Sequence, residues 1–314
     1  MGKRNLHDRW RRRSGNDAAV TVNELARMVP SSARDAISVS VDGMRSLDAR
    51  PGLFRYVALL WQRRHFVKIS ASARAFQANK DLLLGQFWLV ASPVVDSLMF
   101  ILVFGVLLNT SRGVDNFIGF VVLGVTFFGF LQRHLSSGMR LVQKNKGMIK
   151  SFIFPRAAIV FSESLRLLFD SLPAALVAVI FGLITSGRVP WTIVLIIPVF
   201  LLLHLFGTGL MFIGARITAF VPDMQVIINV AQRGWFFGSG VFFSVDHFVG
   251  GDLMTSLMKA NPGYIFLTAV RDTVLYGAAP SLAAWLQMLA WALGLFIIGF
   301  IYFWQAEERY VGVD

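Results

Sequence analysis

The sequence contains no cysteine and few acidic residues, and these absences narrow what the chain can be. None of its 314 residues is cysteine, which excludes disulfides, zinc-thiolate sites and thiol nucleophiles. Neither G-x-x-x-x-G-K-[ST] nor H-E-x-x-H nor G-x-S-x-G occurs, so the signatures of P-loop ATPases, zinc proteases and serine hydrolases are missing. The five histidines are scattered without metal-ligand spacing. We therefore predict no catalytic residues, no metal site and no cofactor on this chain.

Long apolar runs dominate what is present. Hydrophobic residues make up 55% of the sequence and charged residues 15%, with a mean hydropathy of +0.62. A bilayer core about 30 Å thick needs roughly 20 apolar residues per helical crossing. The pattern predicts an all-α membrane protein with six transmembrane helices, near residues 87–108, 117–136, 158–184, 191–214, 225–243 and 282–304.

The distribution of charge predicts the orientation of these helices. Residues 1–87 hold sixteen Lys and Arg against seven Asp and Glu, and the 137–157 connection has five basic residues and no acid. The 109–116 and 185–190 turns carry one Arg each. Because cytoplasmic connections are enriched in Lys and Arg, both termini are expected in the cytoplasm. A basic arm beside a membrane domain fits anionic lipids better than nucleic acid, so we predict membrane lipids as partners and no nucleic acid.

Four regions follow from this organisation. Residues 1–52 are expected to be a cytoplasmic, basic and mostly disordered arm. Residues 53–86 should form amphipathic and connecting helices, 87–304 the transmembrane domain, and 305–314 a cytoplasmic tail. The first helix carries an apolar face that predicts an interface helix in the membrane plane; a soluble helix docked on the protein is the alternative. That face consists of Phe54, Val57, Leu60 and Trp61.

The 244–281 connection is long and half apolar, and Asn261-Pro262-Gly263 breaks it in the middle. Each half is too short to cross a bilayer. Irregular backbone at membrane depth is tolerated only when protein buries it or water surrounds it. We therefore predict two short helices that form an external re-entrant hairpin before the last span; a flexible external loop fits the apolar content poorly.

The cytoplasmic connections between spans are candidate docking segments for a partner subunit. In 144–156 all charges are positive and a proline stands where a new helix would begin. A positive-inside loop explains the charge but not the aromatic residues beside it. The second connection, near 216–223, is short. The predicted docking residues are Lys144, Lys146, Lys150, Phe152, Phe154, Pro155, Arg156, Pro222 and Asp223.

Ionisable side chains at membrane depth form a second candidate site. Glu163 and Arg166 have i,i+3 spacing and Arg166 and Asp170 have i,i+4 spacing, so one helix face carries acid, base and acid. Either a structural charge network or contact with cargo fits this pattern; a proton relay is disfavoured because the Arg would keep both acids ionised. The predicted intramembrane charges are Asp96, Glu163, Arg166, Asp170 and Arg233.

Aromatic residues are abundant, with 29 Phe in the sequence. Some repeat on one face of the second predicted span, and others crowd the fifth. They could stack on sugar rings in a channel or simply face lipid. The candidate channel aromatics are Phe117, Phe120, Phe127, Phe130, Trp235 and Phe236.

Several short motifs follow one another in a particular order and spacing. They are the L-G-x-x-W run at 84–88 with Pro93, Val103-Phe104-Gly105, Ile149-Lys150 to Phe154-Pro155-Arg156, Phe220 to Asp223, and Asn261-Pro262 with Arg271-Asp272. Across about residues 65–310 they resemble one family, the permease subunit of ABC-2-type exporters of cell-surface polysaccharides, of the O-antigen and teichoic-acid kind. The sequence departs from that pattern at Pro222, where the family often has a basic residue before the acid.

The resemblance implies a non-catalytic permease in the bacterial plasma membrane. It implies a homodimer that binds two copies of a separate ABC ATPase, with ATP and Mg²⁺ on that partner, and a lipid-linked polysaccharide as cargo. Alternatives are an ABC-2 permease for another hydrophobic cargo, such as a drug or peptide, and an ion-coupled secondary transporter, which would show internal repeats. A membrane-embedded enzyme would need a polar catalytic cluster, which we do not find.

Overall fold

The computed structural model describes residues 51–77, 114, 116–152, 154–243 and 252–312, and also positions 91, 95, 98, 99 and 102. All of them belong to the compact unit Leu47–Asp314. These residues form helices and no strand. The predicted arm at 1–52, apart from its last two residues, lies outside the described part of the chain, as does Asp96.

Eleven α-helices are found in the described part of the chain. They are α1 Leu53–Gln62, α2 Arg64–Gln77, α3 Phe117–Gly138, α4 Leu141–Lys144, α5 Lys146–Ser151, α6 Ala157–Ser186, α7 Ile196–Phe220, α8 Met224–Gly238, α9 Asp252–Ala260, α10 Pro262–Arg271 and α11 Leu282–Trp304. Short 3₁₀ segments at Trp191–Leu195 and Glu307–Gly312 and a π-helical segment at Asp272–Tyr276 complete the order.

Four helices in the described part of the chain are long and apolar enough to cross a membrane. They are Phe117–Gly138, Ala157–Ser186, Trp191–Phe220 and Leu282–Trp304. The predicted span at 87–108 falls almost wholly outside the described residues. The predicted span at 225–243 corresponds to α8, which has 15 residues and is shorter than a usual crossing. The six-span arrangement therefore stays a prediction.

Helix α3 lies at the centre of the bundle. Its apolar window is 72% buried, against 28% for α6 and 22% for α11. Because α3 is covered by its neighbours, its side chains form the main core together with residues of α7 and α10. The exposed apolar faces of α6 and α11 suit contact with lipid.

Helices α7 and α11 approach each other closely at two glycines. A Cβ atom added at Gly299 would lie 2.5 Å from the backbone oxygen of Gly209, and one added at Gly209 would lie 2.6 Å from the backbone carbon of Leu295. Small residues let membrane helices pack backbone against backbone. The two glycines therefore fix the distance between these helices.

Replacing Gly299 with alanine is expected to destabilise the protein. The added methyl group would push α11 away from α7, and overpacking of this kind typically costs about 1–3 kcal/mol. Gly294 in the same helix is a matched control, because a Cβ added there meets nothing within 4 Å. Thermal unfolding in detergent measures the difference; equal unfolding temperatures for Gly299→Ala and Gly294→Ala would contradict the close approach.

The predicted interface helix exists as α1, and its apolar face is open. Phe54 is 91% exposed and Trp61 is 70% exposed, whereas Tyr56 on the opposite face is fully buried. Tyr56 attaches the helix to the bundle, and Leu60 of the predicted apolar face packs against the same hydrophobic cluster. The exposed face is free to contact lipid, as predicted, and contact itself stays a prediction.

The 244–281 connection contains two short helices, α9 and α10, separated at Asn261. Helix α10 and the π-helical segment are largely buried, while most described residues of α9 are exposed or partly exposed. Two helices with a break at this position agree with the sequence pattern. Their insertion into the membrane as a re-entrant hairpin stays a prediction.

Candidate functional site

The predicted docking segment folds as two very short helices between α3 and α6. Helices of four and six residues are not stable alone, and here Leu141, Val142 and Ile149 are buried in a hydrophobic cluster that holds them. Lys144, Lys150 and Phe152 are exposed, and Phe152 is 66% exposed. The segment therefore presents positive charge and one aromatic ring on a surface anchored to the bundle.

Other predicted docking residues have internal contacts. The Phe154 ring lies 6.2 Å from the Phe66 ring and packs against the same cluster. Pro155 is buried just before α6, and Lys146 is only partly exposed. Pro222 and Asp223 are exposed between α7 and α8.

Glu307 in the C-terminal tail lies at the centre of a polar junction. Its Oε2 accepts a hydrogen bond from the Tyr56 hydroxyl at 2.7 Å, and its Oε1 accepts one from the Arg156 backbone N–H at 2.7 Å. The Arg156 guanidinium lies 3.4 Å from the same Oε1. The Ala157 N–H donates to the Tyr56 oxygen at 3.0 Å. One carboxylate thus joins α1, the start of α6 and the tail.

The junction suits the chemistry of a helix start. The first N–H groups of an α-helix have no partner within the helix, and negative charge is favoured there. Burial raises the pKa of Glu307, while the Arg156 N–H, the Tyr56 hydroxyl and the Arg156 charge act to lower it. Burial and the neighbouring Glu307 charge raise the pKa of Tyr56, so its hydroxyl stays protonated and donates.

The predicted intramembrane charge network forms on α6. Arg166 donates to both carboxylate oxygens of Glu163, at 2.6 and 3.1 Å, and to Asp170 at 2.6 Å. Two-point pairing of an arginine with a carboxylate is a strong, directional contact. The three side chains are 10–18% exposed. The three side chains therefore pair along one face of α6; their position at membrane depth and their role stay predictions, and Arg233 lies exposed on α8.

Replacing Arg166 with methionine is expected to lower the free energy of unfolding by roughly 2–3 kcal/mol. It would leave two carboxylates next to each other without their cation, and the loss falls below that for a fully buried pair because each side chain is partly exposed. The triple variant Glu163→Gln, Arg166→Met, Asp170→Asn should recover most of the loss. Thermal unfolding in detergent tests this; a triple variant less stable than the single one would contradict a purely structural network.

The candidate channel aromatics of α3 lie inside the protein. Phe117, Phe120, Phe127 and Phe130 are 9% exposed or less, and Phe127 makes an edge contact with Phe200 at 5.9 Å. Stacking of these rings on cargo stays a prediction, and it would require this core to open. Trp235 and Phe236 are partly exposed and pack edge-on against Phe128, at 5.0 and 5.3 Å.

Arg271 is a buried arginine. From the sequence it was identified only as part of the motif that joins Asn261-Pro262 and Arg271-Asp272. Arg271 is 3% exposed and donates to the backbone oxygens of Phe120, Gly240 and Val241, at 3.2, 3.0 and 2.8 Å. Its guanidinium carbon lies 3.3 Å from the centre of the Phe120 ring. One side chain therefore ties α10 to α3 and to the backbone that follows α8. The signal in the sequence is a single Arg within an apolar stretch.

Asn261 makes a second set of contacts at the opposite end of α10, just before the helix begins. Its Oδ1 accepts from the Trp235 indole N–H at 2.8 Å and from the Gly263 N–H at 2.9 Å. Its Nδ2 donates to the Gly238 oxygen and to the Ser239 hydroxyl, both at 3.0 Å. All four hydrogen-bonding positions of this amide are used, so Asn261 fixes the end of α8 against the start of α10.

Comparison with known families shows to which family the chain belongs. The sequence profile described as ABC-2 type transporter matches residues 68–275. The chain belongs to the ABC-2 type transporter family. No curated protein matches it. Membership makes it a multi-pass membrane protein of the kind that forms the transmembrane component of an ABC transporter, and implies association with an ABC ATPase.

The matched range of this ABC-2 protein contains the docking segment, the α6 charge network and Arg271. Tyr56 and Glu307 lie outside it. The polar junction therefore joins the family domain to segments on both of its sides. The junction was not predicted from the sequence, because Tyr56 and Glu307 are 251 residues apart and neither residue belongs to a motif.

The ABC-2 domain also holds a polar chain across three of its spans, which sequence reasoning did not find. His134 Nε2 lies 3.1 Å from His204 Nδ1, and His204 Nε2 lies 3.3 Å from the Ser164 hydroxyl. The Ser164 and Thr208 hydroxyls are 2.6 Å apart. These contacts link α3, α6 and α7. Hydrogen bonds between helices of this kind add modest stability to membrane bundles.

Proposed function

We propose that this chain is the permease of an ATP-driven exporter that moves a lipid-linked polysaccharide or a related glycolipid out across the bacterial plasma membrane. The observation that carries the proposal is the docking segment: exposed Lys144, Lys150 and Phe152 lie on short helices that lead directly into the polar junction. Motion imposed on this surface reaches a spanning helix and the interface helix together. ATP hydrolysis takes place on a separate subunit.

Through the junction, the docking segment acts on two helices, α6 and α1. Arg156 and Ala157 begin α6, so a push on the segment tilts or shifts that spanning helix. The same push acts on α1, because the Tyr56 hydroxyl bridges Glu307 and the Ala157 N–H. Closure of a nucleotide-bound ATPase dimer thus moves α6 and the interface helix as one element, and α1 borders the path by which a membrane lipid reaches the permease.

A second copy of the chain completes the pathway in this proposal. Among the described residues, helix α8 has an uncovered and largely apolar face, with Val226 67% and Val230 62% exposed and the exposed Arg233 beside them. Ile227 and Phe237 are also more than half exposed. Such a face on a helix too short to span a membrane suits packing against a symmetric partner. Two permease chains and two ATPase chains then form the transporter.

Transport into inside-out vesicles tests the proposed function. The permease and its ATPase are reconstituted, a fluorescent lipid-linked glycan is added, and ATP-dependent protection from an added glycosidase is measured. Lys144→Gln/Lys150→Gln should lower the rate about tenfold, because charge pairs at the rim of an interface govern association. Lys259→Gln, on α9, is the control and should transport normally.

Two results would count against the proposal. Protection of the glycolipid without ATP would indicate a different energy source, such as an ion gradient. ATP-dependent export of a hydrophobic drug or peptide, with no transfer of any glycolipid, would keep the permease and replace its cargo.

A further inference from the structure

A cavity of about 520 Å³ lies between the interface helix α1, the following helix α2 and three spanning helices of the same chain. Its walls come from α1, α2, α6, α7 and α11. Its volume falls within the range of small-molecule pockets. The polar side chains and the tryptophan in its lining are Trp61, Arg64, Lys68, Ser164, His204 and Thr208.

The two ends of this cavity differ in exposure. Trp61, Arg64 and Lys68 at one end are exposed, whereas Ser164 and Thr208 at the other are 2% and 3% exposed. Ser164 is seven residues into α6, which corresponds to about 10 Å along the helix. With the start of α6 on the cytoplasmic side, as the charge distribution predicts, the cavity runs from the interface into the membrane.

The deep end does not require a polar ligand. The Ser164 and Thr208 hydroxyls bond to each other, and the Thr208 hydroxyl also lies 2.8 Å from the His204 backbone oxygen. Between the two ends the wall is apolar and includes Phe161, Phe296 and Phe300. This part of the cavity fits a hydrocarbon chain and offers little to a sugar.

The exposed end carries two cations on one helix face. Arg64 and Lys68 are four residues apart in α2, so their side chains point the same way. The Arg64 guanidinium donates to the Trp61 backbone oxygen at 3.3 Å and lies 5.5 Å from the centre of the Trp61 ring. It is thus held at the opening of the cavity, where the headgroup of a membrane lipid would lie.

We propose that this cavity is a binding site for an anionic phospholipid of the surrounding bilayer, with one acyl chain inside and the phosphate against Arg64 and Lys68. The site goes beyond the proposed export function and does not depend on the cargo. A bound lipid would hold α1 and α2 against α6 and α7. The permease would then depend on the anionic lipid content of its membrane.

Native mass spectrometry of the full-length chain in mild detergent tests this site. Phosphatidylglycerol and phosphatidylcholine with identical acyl chains are added in equal amounts, and each bound lipid is counted. Phosphatidylglycerol should bind in excess. Because each Lys or Arg contributes several-fold to attraction by anionic lipid, Arg64→Gln/Lys68→Gln should weaken its binding roughly 30-fold.

Two further variants locate the binding. Arg55→Gln/Arg63→Gln removes the same charge from exposed positions that do not line the cavity, and it should bind phosphatidylglycerol as the wild type does. Leu205→Trp fills the cavity and keeps both cations, and it should also lose the lipid; Val57→Trp, at a wall position that is 49% exposed, serves the same purpose if the first variant does not fold.

Three outcomes would overturn the proposal. Equal binding of the two lipids would remove the role of charge. Unchanged binding by Arg64→Gln/Lys68→Gln, or an equal loss in the control variant, would place the lipid elsewhere. One-for-one displacement of phosphatidylglycerol by a lipid-linked glycan would assign the cavity to cargo; the transport assay separately decides whether the export function holds.

Discussion

Arg271→Leu is expected to cause one of the two largest losses of stability in this protein, about 3–5 kcal/mol, because several buried acceptors lose their donor together. The leucine would leave the backbone oxygens of Phe120, Gly240 and Val241 without the guanidinium that now bridges them. Each buried acceptor that loses its partner typically costs about 1–3 kcal/mol. The region between α3, the end of α8 and α10 should open first.

Arg271→Lys separates charge from geometry in the same test. A lysine keeps the cation but has one compact ammonium group, which cannot match the forked arrangement of the arginine. The free energy of unfolding of Arg271→Lys should fall between those of the wild type and Arg271→Leu. Arg188→Leu is the control, because Arg188 is exposed and makes one bond to the Leu275 oxygen. If Arg271→Leu and Arg188→Leu unfold at the same temperature in detergent, the role assigned to Arg271 is wrong.

Glu307→Ala is expected to have the second large effect, with a stability loss of roughly 3–5 kcal/mol. The alanine would leave the Tyr56 hydroxyl and the Arg156 N–H without their acceptor and the Arg156 guanidinium without its buried counter-ion. Because the junction joins the docking segment to the interface helix, the variant should also uncouple the partner: ATP hydrolysis persists while transport falls at least tenfold.

Matched variants separate these two effects. Tyr56→Phe removes two hydrogen bonds of the junction, the one to Glu307 and the one from the Ala157 N–H, and should lose about 1–3 kcal/mol. Glu308→Ala changes the exposed neighbour of Glu307 and should leave both stability and transport near the wild-type level. A Glu307→Ala protein that transports at the normal rate per ATP hydrolysed would show that the junction is structural only.

The spanning helices were the most predictable part of the fold. The runs at 117–136, 158–184, 191–214 and 282–304 correspond to α3, α6, the 3₁₀ segment with α7, and α11, because a long apolar run has few alternatives to a helix in a membrane. Helix α7 continues to Phe220, six residues beyond the predicted end. Hydropathy marks where the apolar stretch stops, and a helix often continues beyond it.

The charge network was predictable for a local reason. Glu163, Arg166 and Asp170 are neighbours on one helix, so their spacing alone decides that they can pair. The exposed face of α1 was predictable in the same way, since Phe54 and Trp61 share it by periodicity.

The junction and the Arg271 site could not be predicted because their partners are distant or unmarked. Tyr56 and Glu307 are 251 residues apart, and sequence spacing carries no information on that contact. Arg271 binds backbone oxygens, which every residue has, so no side-chain pattern points to its partners. One of these oxygens belongs to Gly240, whose φ of 63° places it in the left-handed region that glycine adopts readily.

The most direct test of the account is the mass of the purified transporter. The chain is expressed together with candidate ABC ATPases of the same genome, purified through a tag on this chain, and weighed in detergent. Two permease chains with two ATPase chains are expected, with ATPase activity that falls when residues 144–156 are replaced by a neutral linker. A permease that purifies alone, with no ATPase bound, would contradict it.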